Sequence, residues 1–114
     1  MEVIQKIVGA KEEVKSTLFY KIKLLRNNID LGALKEKLNS YICEPRTYRL
    51  YERFYVLNNK LNSLIKRNTL SVVNLDKSEF IATEDLDKIK NQILEYSALQ
   101  KDIFSYMREA SHCS

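Results

Sequence analysis

Residues 45–67, PRTYRLYERFYVLNNKLNSLIKR, carry the pattern that decides the fold. Leu50, Phe54, Leu57, Leu61 and Leu64 follow one another at steps of four, three, four and three. On a helix of 3.6 residues per turn that heptad spacing lines up one narrow seam, the geometry of helices packed at a shallow angle. Pro45 closes what precedes it, because the residue before a proline avoids the α region. Thr47 offers a hydroxyl to the free N–H groups of the next turn. The spacing predicts a helix from about 47 to 67.

On the N-terminal side, Ile4, Ile7, Val8, Val14, Leu18, Ile22 and Leu25 form one helical stripe from Glu2 to about Asn27, with Lys11 in its one gap. Asn27, Asn28 and Asp30 interrupt it, and Asp30 is placed to cap a short helix over Leu31–Cys43. That segment carries Leu31, Leu34, Leu38, Tyr41 and Ile42 on one side.

On the C-terminal side, residues 69–82, TLSVVNLDKSEFIA, turn β-branched and aromatic. They read as an ordered loop, with a small β-hairpin turning at 76–79 as the alternative. A last helix follows Thr83 and reaches Arg108, roughly 39 Å of rod. Leu86, Ile89, Ile93, Tyr96, Ile103 and Met107 recur along it, with Gln100 as the polar member, and residues 109–114 read as a frayed tail. Glu84, Asp85 and Asp87 suit the positive end of its dipole. The expectation is a single, mainly α domain over 1–114. Three long helices and one short one form an antiparallel bundle that buries their stripes together.

Composition agrees. A chain of 114 residues suits one domain, and two Gly and one Pro are too few for the turns of an all-β design. Cys43 and Cys113 fall short of the even, closely spaced set of a disulfide scaffold, and two Cys with one His do not complete a zinc site. The apolar runs are too short to span a bilayer, and MEVIQKIVGAKEEVK lacks the apolar centre of a signal peptide. A reducing, cytoplasmic setting is expected, in the cell that makes the protein or in a host cell. Frequent Lys, Asn, Ile and Tyr hint at an AT-rich genome.

The net charge of +4 is unevenly spread. Residues 15–70 hold twelve basic and four acidic residues, whereas residues 71–114 hold five and eight. Within the central helix Arg46, Arg49, Arg53, Lys60 and Arg67 gather on one flank of the seam and Tyr48, Tyr51 and Tyr55 on the other. Cations beside aromatics suit phosphate contact with base stacking. The same cations equally suit pairing with acids on a neighbouring helix while their stems cover the seam.

Groups with a catalytic pattern are lacking. The single His112 lies two residues from the end, no serine or cysteine has a base at a telling spacing, and Gly9 and Gly32 are too isolated for a phosphate loop. No cofactor, metal or small-molecule substrate is expected. The sequence favours a non-enzymatic helical interaction or assembly module, a homodimer or a small subunit of a larger complex. A nucleic-acid-binding protein using the arginine–tyrosine face is the alternative.

Overall fold

A computed structural model describes residues 2–77 and 81–112, and the surroundings of side chains 16–77 and 81–111. Helix α1 spans Glu2–Leu38, a single 3-10 turn spans Tyr41–Cys43, α2 spans Tyr48–Lys77 and α3 spans Thr83–His112. Each helix packs against the other two, in a rod of 67 × 20 × 19 Å.

The heptad seam of α2 is buried as the spacing predicts. Leu50, Leu57, Leu61 and Leu64 are inside, and Phe54 packs at their edge. Thr47 caps this helix, its Oγ1 accepting from the Leu50 N–H at 3.1 Å. The 3-10 turn is pinned to α3 by the Tyr106 hydroxyl, which donates to the Cys43 carbonyl at 2.8 Å.

Three expectations are corrected. No helix break occurs at Asn27–Asp30; α1 runs through it, so three helices and one turn replace the four helices read from the sequence. Asn and Asp disfavour helix interiors by only about 0.7 kcal/mol each relative to Ala, because their side chains compete for the local backbone. Here Asn28 and Asp30 bond other helices instead. Asn28 Nδ2 donates to Thr69 Oγ1 at 3.2 Å, and Asp30 accepts from the Tyr96 hydroxyl at 2.9 Å.

Residues 69–77 are neither loop nor strand but the last turns of α2, with Val72 and Leu75 buried. No strand occurs among the described residues, and residues 78–80 of the expected hairpin lie outside them. Finally, α3 continues past Arg108 to His112, with Ala110 buried where the sequence suggests a frayed tail.

The buried residues show why the rods stay continuous. Each helix carries its own buried series at steps of three and four: Leu24, Asn27, Leu31, Leu34 and Leu38 in α1; Leu57, Leu61, Leu64, Asn68, Val72 and Leu75 in α2; Ile89, Gln92, Tyr96, Leu99 and Ile103 in α3. Polar contacts pin the register. Seven residues along α1 from Lys21 to Asn28 match seven back along α2, from Asp76 to Thr69. Fourteen along α2 from Arg53 to Arg67 match fourteen back along α3, from Glu109 to Glu95. In this register the polar members Asn27, Asn68 and Gln92 form one layer. It separates a small apolar cluster around Leu24, Val72, Leu75 and Ile89 from a larger one reaching to Leu50 and Ala110.

Candidate interaction surface

The polar layer is the most buried polar feature of the rod. Asn27, Asn68 and Gln92 are 3%, 0% and 6% exposed. Ser71 Oγ donates to Gln92 Oε1 at 3.1 Å, Gln92 Nε2 to Asn68 Oδ1 at 2.8 Å, and Asn68 Nδ2 to Asn28 Oδ1 at 2.9 Å. The chain of donors joins all three helices. Asn27 Nδ2 is buried without a partner among the described residues. Amides cannot act as acids or nucleophiles near neutral pH, so this layer can fix register but offers no general acid or base. A groove of about 530 Å³ opens beside it between α2 and α3, lined in part by Ser71, Gln92, Lys88 and Asp85. Among the described residues no cluster of three or more His, Cys, Asp or Glu is placed to hold a metal ion.

The arginine–tyrosine face of α2 divides when folded. Arg53 turns towards α3, pairing with Glu109 and lying 5.8 Å from the centre of the Tyr106 ring. Arg67 makes a two-pronged contact with Glu95 at 3.0 and 2.7 Å. That bond raises the Arg67 pKa further. Arg46, Arg49 and Lys60 are exposed. Tyr48, Tyr51 and Tyr55 are exposed as well, but at 100° per residue they lie roughly 150° around the helix from the cations. The structure therefore brings together the seam Leu50, Phe54, Leu57, Leu61 and Leu64, and places the cations and the tyrosines on different sides of α2.

Two tyrosines of α3 have shifted hydroxyls. Burial pushes Tyr96 up to about 12, with help from its bond to Asp30. Burial likewise pushes Tyr106 up to about 12, alongside Cys43 and against the opposing charge of Arg53. Both stay neutral at ordinary pH and act as structural donors.

Exposed apolar residues occur along the rod, Ile42, Val56, Leu70, Val73, Leu94 and Phe104 among them, and on α1 they form a stripe that corrects the sequence reading. Leu18, Ile22 and Leu25, expected in the core, are 56%, 40% and 43% exposed, and Ile29 is 73% exposed. Their steps of four, three and four make a second heptad stripe. It points roughly 160° away from Leu24, Leu31 and Leu38, which do face the core. A helix with two such stripes buries only one against α2 and α3. With the inner stripe facing inward, Leu24, Leu31, Leu34 and Leu38 are buried and Asn28, Asp30 and Lys21 also find partners on those helices. Both stripes have helical period, but the inner one continues through Leu31, Leu34 and Leu38 whereas the outer one, carried on by sevens, meets Gly32 and Glu36. Phe19, also exposed, borders the outer one.

Comparisons with protein-family models, with curated proteins and with solved structures return no match.

Proposed function

We propose that this protein is a non-enzymatic helical assembly module, a homodimer or a small subunit of a larger complex, that docks through the outer stripe of α1. One observation supports the reading above the others. Leu18, Ile22, Leu25 and Ile29 form a continuous heptad stripe facing solvent, on a helix whose other face already fills the core. Single exposed apolar residues are ordinary on any protein, but contiguous apolar surface marks a contact region. A stripe with coiled-coil spacing fits another helix.

Light scattering at tens of micromolar, followed by crosslinking in a lysate, tests this reading. A particle heavier than the 13.4 kDa chain, or a captured partner, is expected, and Ile22→Asp should abolish it. A 13.4 kDa particle with no captured partner refutes it. Because Ile22 is exposed, its replacement should leave helix content by circular dichroism unchanged.

The exposed Arg46, Arg49 and Lys60 support phosphate contact with nucleic acid as a second reading, although Tyr48, Tyr51 and Tyr55 lie on another side of α2. It predicts a shift of single- or double-stranded DNA or RNA at low salt that fades steeply as salt rises. No shift at tens of micromolar removes it.

A further inference from the structure

We infer that the polar layer is the boundary of a local opening: the end of the rod that holds Leu24, Val72, Leu75 and Ile89 detaches and unwinds as one unit while the rest stays folded.

The described core is in two parts. Leu24, Val72, Leu75 and Ile89 pack together, with Tyr20, Ile81 and Ile93 partly buried against them, and they do not join the cluster that runs from Leu31 to Ala110. Between the two parts stand Asn27, Asn68 and Gln92. Their hydrogen bonds run across the rod, from Ser71 through Gln92 and Asn68 to Asn28, and tie the helices together at one level. A break at this level presents amides to water, which solvates them well, whereas a break through either cluster exposes hydrocarbon. Opening here also hydrates the Asn27 Nδ2, which is buried without a partner among the described residues.

Polar contacts between helices are distributed in the same sense. Beyond the layer, Lys21 pairs with Asp76 at the surface, where ion pairs contribute little. On the other side Tyr96 donates to Asp30 and Tyr106 to the Cys43 carbonyl, and Arg53 and Arg67 pair with Glu109 and Glu95. The seam between α2 and α3 is also less closed beyond the layer, because Leu75 and Ile89 themselves line the groove of about 530 Å³. The parts of α2 and α3 past the layer, residues 69–77 and 83–91, are short. Once parted from α1 they are too short to hold a helix in water, so detachment and unwinding go together.

Native-state hydrogen exchange in sub-denaturing urea tests the inference. Amides of residues 72–75 and 89–91 should share one opening with a shallow urea dependence, and exchange roughly tenfold or more faster than those of residues 57–64 and 96–103. Ile103→Val weakens the larger cluster alone. It should speed the second group roughly three- to tenfold and leave the first unchanged. Replacing Asn27, Asn68 and Gln92 together by leucine should join the clusters and bring both groups to one behaviour. Three results would each overturn the inference: protection that rises turn by turn from Lys77 and Thr83 with no step at the layer, an equal response of both groups to Ile103→Val, or a step that survives the leucine replacements.

Discussion

Replacing the polar layer by leucine should have opposite effects when done singly and as a set. In Asn68→Leu two hydrogen bonds disappear, about 1 kcal/mol each. The buried Gln92 amide also loses its acceptor, which costs roughly 1–3 kcal/mol more, whereas Asn28 is only half-buried and can rehydrate. Against this, burying a leucine returns about 1.5–3 kcal/mol. The single variant should therefore lose about 1–2 kcal/mol.

Replacing Asn27, Asn68 and Gln92 together leaves no buried amide in the layer and adds three apolar side chains. After about 3 kcal/mol for the three hydrogen bonds that go with them and about 1–3 kcal/mol of overpacking, the triple variant should gain about 1–3 kcal/mol. Urea unfolding followed by circular dichroism, on all singles and the triple, measures both. If the three substitutions add independently, with Asn68→Leu stabilising by a third of the triple's gain, the layer is not a hydrogen-bonded unit and the reasoning fails.

Other consequences follow from individual contacts. Asn27→Leu alone should stabilise by about 1–3 kcal/mol, because it removes a buried Nδ2 that has no partner among the described residues; thermal melting checks it. Thr47→Ala should cost about 1 kcal/mol by uncapping α2, and Thr47→Asp should restore most of it. Tyr96 and Tyr106 ionise near 10 in an unfolded chain and at about 12 in the fold, so the folded state holds their protons more tightly. Their contribution, on the order of 2–3 kcal/mol each, is fully present below pH 10 and is lost as pH rises from about 10 to 12. Urea midpoints across that range should fall, and less steeply in Tyr96→Phe.

How much of this was legible in the sequence depended on whether a helix's partners lay nearby in the chain. The seam of Leu50 to Leu64, its cap at Thr47 and the stop at Pro45 are local features, and the fold uses all of them. The breaks read at Asn27–Asp30 and after Arg67 are the reverse case. Asn28 looks like a helix interrupter until Asn68, 40 residues away, is seen to donate to its side chain. Gln92 hid in the same way, as a polar residue in a heptad series that includes Ile89, Tyr96 and Leu99. One signal was available: read as continuous series at steps of three and four that admit one amide each, all three helices carry the layer. The choice between the two stripes of α1 was legible in part, since only the inner one continues as leucine through Leu38 while the outer one meets Gly32 and Glu36. Lys21, Asn28 and Asp30 add to it by pairing with an acid and two hydroxyls on the other helices. The arginines of α2 divided for a related reason, since Glu95 and Glu109 claim Arg67 and Arg53.

Amide hydrogen exchange over a concentration series shows whether the protein associates through the outer stripe of α1. Raising the protein from about 1 to 100 µM should slow exchange in peptides covering residues 18–36 and leave those covering α2 and α3 unchanged. Protection that grows instead around Tyr48–Tyr55, with residues 18–36 indifferent to concentration, would place the contact elsewhere and contradict the account.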